Sequence, residues 1–184
     1  LIFVGVIAYQ LNYRTYQASS TLLGTLVGKK DWTEKQVIFN DSIEQFRPLA
    51  NYPRIIAYNQ IIQDWPNLND EERKSALDFV NKQGVFGTQS EPEDWRMYVP
   101  VSTIFHLGVV IDPEYNARGN NLALTAYELA PNRIEVVHHL ARSYLYMGEF
   151  DKARQTRDEY LEANPLAVLR FKSISDALDT LSTE

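Results

Sequence analysis

Residues 131–165 read PNRIEVVHHLARSYLYMGEFDKARQTRDEYLEANP, and this stretch decides the fold of the chain. Pro131 and Pro165 bracket it and lie 34 positions apart (165 − 131). Apolar residues recur at helical spacing on both sides of Gly148, and a glycine can end a helix in a left-handed conformation without steric cost. The stretch therefore predicts two helices joined by a tight turn at Gly148.

The order and spacing of these residues resemble a tetratricopeptide repeat, a helix-turn-helix unit of 34 residues with the pattern W-x2-L-G-x2-Y, A-x3-F and P. The repeat positions are occupied by Val137, Leu140, Ala141, Tyr144, Gly148, Phe150, Ala153, Tyr160 and Pro165. The small side chains of Ala141 and Ala153 allow two helix backbones to approach closely. Val137 replaces the Trp of the pattern and Arg157 the Phe, so we expect the stem of Arg157 to cover apolar surface.

A second, degraded repeat precedes this unit. Residues 113–130 carry small and aromatic residues where the second helix of a repeat has them. The helix before it, predicted over residues 94–111, is out of register, because Thr103 and His106 fall where the pattern has Trp and Leu. We therefore expect the loop at residues 112–113 to be shifted relative to the repeat that follows.

One more helix is predicted after Pro165, where Phe171, Ile174 and Leu178 recur at helical spacing. It would cap the stack, since each repeat buries its apolar side only against a neighbour. No strand hairpin or β-α-β pattern occurs in the sequence. We therefore predict an all-α fold of antiparallel helix pairs, stacked as a short tetratricopeptide-like solenoid.

The N-terminal residues LIFVGVIAY form an apolar run that is too short to cross a bilayer, which takes about 20 residues. We interpret it as the C-terminal end of a transmembrane helix, with an aromatic and basic belt at the membrane interface formed by Tyr9, Tyr13, Arg14 and Tyr16. The alternative is a buried helix at the N-terminus of the core. Basic residues after the run, including Lys29 and Lys30, favour the cytoplasmic side of a bacterial inner membrane for the part that follows.

Three regions follow from these patterns. Residues 1–28 are the end of the transmembrane helix and a membrane-exit helix, residues 29–93 are a helical linker with a degenerate repeat, and residues 94–184 hold the repeats and the capping helix. The segment GVFGTQSEPE, residues 84–93, has two glycines, a proline and no periodicity. It is the longest predicted loop, and a soft boundary is placed there.

Composition narrows the classes of partner. The net charge of −6 and the pI of about 5.1 argue against nucleic acid, because phosphate binding needs a basic face. The chain has no cysteine, which excludes disulfides, thiolate metal sites and cysteine nucleophiles. A metal site at His138 would need a further histidine or carboxylate one helical turn away, and Arg142, a cation, occupies the turn after it. No glycine-rich phosphate loop is present. The sequence therefore predicts no cofactor, no metal and no catalytic site.

The candidate functional feature is a helix face. The first helix of a tetratricopeptide repeat lines the concave side, where Glu135, His138, His139, Arg142 and Tyr146 fall at spacings of three and four residues. We predict that this face binds a protein or peptide, with Arg142 and the two histidines pairing a carboxylate and Tyr146 supplying flat contact area. The alternative is an ordinary solvated helix face.

The order of features along the chain resembles the C-terminal region of bacterial O-antigen ligase or polymerase-like membrane proteins. The resemblance rests on the apolar run followed by LNYRTYQASSTLL, and on the repeat segments DPEYNARGNNLALTAYELAPN and GEFDKARQ. It implies a parent protein that transfers lipid-linked glycans and whose catalytic residues lie outside this chain. This fragment would then be a non-catalytic docking module. The alternative is a stand-alone, membrane-anchored repeat adaptor in secretion or envelope assembly.

Overall fold

The computed structural model describes Ser20, residues 30–45 and residues 50–181. The described residues are largely helical and contain no strand, so the prediction of an all-α chain is confirmed. The predicted membrane segment, residues 1–28, lies outside the described residues except for Ser20. None of the described helices is both long and apolar enough to span a membrane.

The chain divides into two compact units, Leu1–Ser90 and Glu91–Glu184. The described helices of the first unit are α1 (Trp32–Gln45), α2 (Asn51–Asp64), a 3-10 turn (Trp65–Asn67) and α3 (Asp70–Ser90). Those of the second unit are α4 (Trp95–Gly108), α5 (Glu114–Leu129), α6 (Ile134–Tyr146), α7 (Phe150–Ala163), a 3-10 segment (Pro165–Phe171) and α8 (Lys172–Leu181).

Aromatic side chains from all three described helices form the core of the first unit. The ring of Phe79 meets Trp32 edge-on at a centroid distance of 5.7 Å and Tyr58 at 6.4 Å. At the start of α3, the backbone N–H of Glu72 donates to the side chain of Asn69, and the Glu72 carboxylate accepts from the Asn69 N–H. This reciprocal cap satisfies two backbone donors and fixes where the helix begins.

The predicted loop at residues 84–93 is wrong, because α3 continues to Ser90. Both glycines in this stretch are buried, and the carbonyl of Gly87 accepts from the side-chain amide of Asn51 at 3.4 Å. A glycine in a helix costs roughly 1 kcal/mol in propensity, and burial against a neighbouring helix can offset that cost. Gly87 therefore lies at a contact between α2 and α3, and a shorter connection after Ser90 leads to α4.

In the second unit, α7 packs on α6, and α8 shares a core with both of these helices. Their common core is formed by Val137, Ala141, Ala153, Phe171, Ile174 and Leu178. Gly148 joins α6 to α7 with φ of 72°, and Ala141 and Ala153 are fully buried, as the sequence predicted. The side chain of Arg157 is 15% exposed and donates to Ser175 on α8, so it replaces the expected aromatic ring in that contact.

Two buried hydrogen bonds show how α4 and α6 lie together. Ser102 pairs with His139 and His106 pairs with Ser143, and both pairs are separated by 37 residues. A constant separation means that the two helices run parallel, since antiparallel helices would keep the sum of the residue numbers constant. The connection from α4 to α5 spans residues 109–113, whereas that from α6 to α7 spans only 147–149. This longer connection accounts for most of the register difference expected at Thr103 and His106.

Candidate binding cleft

A cleft of about 270 Å³ opens on the second unit between α4, α6 and the 3-10 segment. Its walls are formed by Val99, Ile134, Glu135, His138, His139, Arg142 and Arg170. Most of these belong to α6, whose residues at spacings of three and four share one face. The sequence pattern of α6 therefore places the polar groups, and the other two elements form the edges of the cleft.

Four of the five residues predicted for the concave face line this cleft, and Tyr146 does not. Its ring stacks on the imidazole of His106 at a centroid distance of 4.8 Å and an interplanar angle of 24°. The guanidinium of Arg142 lies 5.7 Å from the centre of the same ring. Tyr146 thus contacts a residue of the cleft without lining it, and 40% of its surface stays exposed.

The cleft carries positive charge that the described part of the chain does not neutralise. Arg142 and Arg170 are exposed, and neither makes an ion pair with a carboxylate of the described residues. Glu135 lines the same cleft but pairs with neither of them. Two guanidinium groups and one carboxylate leave the cleft with a net positive charge in a chain whose total is −6.

His138 stands between these charges on the wall of the cleft. Burial lowers the pKa of its imidazole, and the positive charges of Arg142 and Arg170 lower it further. Its ring lies 5.5 Å from that of Phe171, which anchors the 3-10 segment in the core. His138 is therefore held neutral at pH 7 and adds no charge to the cleft.

His139 is the buried histidine of the cleft. Its Nε2 lies 2.7 Å from the hydroxyl of Ser102, and that hydroxyl donates its only proton to the carbonyl of Gly119 at 2.6 Å. Ser102 must therefore accept from His139, which places the imidazole proton on Nε2 and leaves Nδ1 as an acceptor. Burial lowers the pKa of His139 from 6.5 to about 3, and repulsion from His106 and His138 in their protonated forms and from the Arg142 guanidinium acts in the same direction.

A second polar network lies behind the cleft, around His106. Its Nε2 lies 2.8 Å from the hydroxyl of Ser143, and its Nδ1 lies 2.9 Å from the side-chain oxygen of Asn116. The Asn116 amide in turn donates to the carbonyl of Tyr146 at 2.8 Å. A Cβ atom at Gly119 would lie 2.9 Å from this imidazole, so α5 can approach only where a side chain is absent. These contacts fix α4, α5 and α6 against one another.

The contributions of Val99 and Arg170 were missing from the sequence-based prediction. Arg170 reaches the cleft because the 3-10 segment brings the chain back across α6, and helical periodicity does not predict that path. The available signal was its neighbour Phe171, which the apolar spacing placed on the predicted capping helix and which the structure packs in one core with Val137. Arg170, one residue before that anchor, lies at the edge of the cleft.

The cleft combines two exposed guanidinium groups with the buried imidazole of His139. Within residues 30–45 and 50–181, no cluster of three His, Cys, Asp or Glu residues is placed to hold a metal ion. Comparisons with protein-family models, curated proteins and solved structures find no match to this chain. The resemblance to tetratricopeptide repeats therefore rests on the residues and contacts described above.

Proposed function

We propose that this chain is a non-catalytic, tetratricopeptide-like interaction module, and that its cleft receives a segment of a protein partner. The parallel arrangement of α4 and α6 supports a repeat interpretation, because the first helices of stacked repeats run in the same direction. The left-handed turn at Gly148 and the buried alanines of α6 and α7 support it as well.

The observation that carries the proposal is the uncompensated charge of Arg142 and Arg170 in a concave site. Unpaired guanidinium groups beside half-buried side chains favour an anionic group that can accept two hydrogen bonds from each of them. In an acidic chain such a patch also directs the approach of a negatively charged partner. An ordinary solvated helix face does not account for Arg142 and Arg170 lining one cleft, since they belong to different segments of the chain.

An exposed aliphatic run next to the cleft adds contact area for a partner. Leu166, Val168 and Leu169 are 99%, 56% and 81% exposed, and they belong to the same 3-10 segment as Arg170. Single exposed apolar residues are ordinary, whereas a contiguous group beside a polar cleft is typical of an interaction site. The segment thus offers apolar contacts at the edge of a charged subsite.

The larger protein to which we assign this chain is a membrane glycan transferase. We infer that the chain is the C-terminal tail of an O-antigen ligase or polymerase-like protein of the bacterial inner membrane, whose reaction is carried out elsewhere in the protein. The alternative is a stand-alone adaptor anchored by one membrane helix. The full-length gene distinguishes the two, because many further hydrophobic segments favour the transferase and a single one contradicts it.

Binding of fluorescent peptides from envelope proteins tests the proposed role of the cleft. Arg142→Ala should weaken binding by about tenfold or more, because an arginine at a desolvated contact commonly contributes over 1 kcal/mol. Tyr146→Ala should weaken it as well, since the ring lies against the guanidinium of Arg142. Arg154→Ala is the matched control, because it removes the same charge from α7 and does not line the cleft. Unchanged affinity in both Arg142→Ala and Tyr146→Ala would refute the proposal.

A further inference from the structure

The chemistry of the cleft constrains its ligand beyond the sign of its charge. Arg142 and Arg170 present only donors, so the group between them must supply acceptor oxygens. Glu135, on the same wall, carries the opposite charge and limits how much negative charge the site tolerates. A compact oxyanion satisfies both conditions better than a large polyanion does.

Whereas the two arginines require acceptor atoms on the ligand, His139 requires a hydrogen-bond donor. Because its Nε2 proton is committed to Ser102, its Nδ1 can only accept. The nearest described donor is the hydroxyl of Thr103 at 3.5 Å, and that hydroxyl already donates to the carbonyl of Val99 at 2.9 Å. His139 lines the cleft, and a distance of 3.5 Å is at the limit of a hydrogen bond, so its Nδ1 has only one weak donor among the described residues. A ligand that brings its own proton would satisfy it.

We propose that the cleft binds an oxyanion that carries a proton, namely hydrogenphosphate or a phosphomonoester in its singly protonated form. For a phosphomonoester this is the minority form at pH 7, because its second pKa is about 6. In this arrangement Arg142 and Arg170 donate to the unprotonated oxygens, and the P–OH group donates to Nδ1 of His139. The inference uses the cleft of the proposed function and specifies the group that enters it.

Anions without a proton fit this arrangement less well. Sulfate has the same shape as phosphate and similar charge, but at neutral pH it has no proton to donate. A carboxylate likewise offers only acceptors, so either anion would place an oxygen lone pair against the lone pair of Nδ1. Protonating His139 instead is costly, because burial lowers its pKa to about 3. The comparison of phosphate with sulfate therefore isolates the contribution of this one proton.

The experiment is a titration of the full chain at pH 7 and constant ionic strength with inorganic phosphate and, separately, with sulfate. Long-range proton–nitrogen NMR spectra resolve the imidazoles of the three histidines and report which ring nitrogen is protonated. We expect phosphate to shift the signals of His138 and His139 and to bind about tenfold more tightly than sulfate, as a hydrogen bond to a charged group contributes. Equal binding of the two anions, tighter binding of acetate, or no binding would overturn the proposal.

Variants and a second probe complete the test. Arg170→Gln should weaken the binding of both anions, and its exposed position leaves the fold unchanged, whereas Arg154→Gln on α7 should have no effect. If Arg170→Gln binds phosphate normally, the assignment is wrong. At pH 6, where about half of a phosphomonoester keeps its proton, a phosphoserine peptide that binds more tightly than inorganic phosphate identifies a phosphorylated partner as the source, and equal or weaker affinity identifies the free ion. Peptide binding that depends on Arg142 without discrimination between phosphate and sulfate would support the proposed function and refute this inference.

Discussion

Acidification should destabilise the wild-type protein through His139, and replacing His139 by glutamine should remove most of that loss of stability. In the folded chain, burial lowers the pKa of His139 from 6.5 to about 3. The unfolded chain therefore binds a proton near pH 6.5, whereas the folded chain stays neutral at this position until about pH 3. Because the unfolded state binds more protons between these values, acidification favours unfolding.

The magnitude follows from the two pKa values. The stability associated with neutral His139 is fully present above pH 6.5 and is lost as the pH falls toward 3. Each pH unit in this window costs about 1.36 kcal/mol, so the loss at pH 5 is about 2 kcal/mol. The pKa of His106 is also lowered, chiefly by burial. Its contribution to the pH dependence of stability has the same sign in the wild type and in His139→Gln.

The assay is urea unfolding of the full chain followed by far-ultraviolet circular dichroism at pH 7 and at pH 5. A glutamine amide still donates to Ser102 but does not titrate, so the stability difference between the wild type and His139→Gln should shrink by about 2 kcal/mol on acidification. His138→Gln is the matched control, since its imidazole is only half-buried and should give a smaller change. An equal stability difference at both pH values would refute the reasoning.

Three further substitutions test the packing around the cleft. Gly119→Ala should destabilise the fold by about 1 kcal/mol despite better helix propensity, because its Cβ would lie 2.9 Å from the His106 ring; an unchanged or higher melting temperature would contradict this. Ser143→Ala leaves Nε2 of His106 unpaired and should cost about 1–3 kcal/mol in urea unfolding, a result that an unchanged midpoint excludes. Ala141→Leu should cost about 1–3 kcal/mol by overpacking the fully buried contact between α6 and α7, and wild-type thermal stability would show that this contact has spare room.

The helices of the second unit were predictable because their signals are local. Gly148 ends α6 with the positive φ expected of it, and the apolar spacing after Pro165 predicted α8. The loop predicted at residues 84–93 failed for the opposite reason. There α3 continues through two buried glycines, and one of them, Gly87, contacts Asn51 on another helix. Glycine content alone does not reveal such a contact.

The cleft was predictable to the extent that it lies on one helix. Spacing placed Glu135, His138, His139 and Arg142 on one face of α6, and the structure brings them to one cleft. The burial of His139 was not predictable from spacing, since it depends on the parallel approach of α4. A pairing signal is nonetheless present in the sequence: Ser and His are four residues apart on α4, and His and Ser are four residues apart on α6.

This reciprocal pattern fixes the register of the two helices. A slip of one helical turn, about four residues, would place His106 opposite His139, which are 33 positions apart (139 − 106). A slip in the other direction would place Ser102 opposite Ser143, which are 41 positions apart (143 − 102). Either slip breaks both hydroxyl–imidazole pairs in a buried site, where each unsatisfied polar group costs about 1–3 kcal/mol.

The observed separation of 37 residues satisfies both pairs at once. The same register sets Val99 of α4 against the end of the cleft and leaves Nδ1 of His139 as the acceptor beside it. The polar pairs behind the cleft therefore determine its shape and its hydrogen-bonding character. A ligand that donates to His139 would be recognised by a nitrogen whose orientation is already fixed by the packing of α4 on α6.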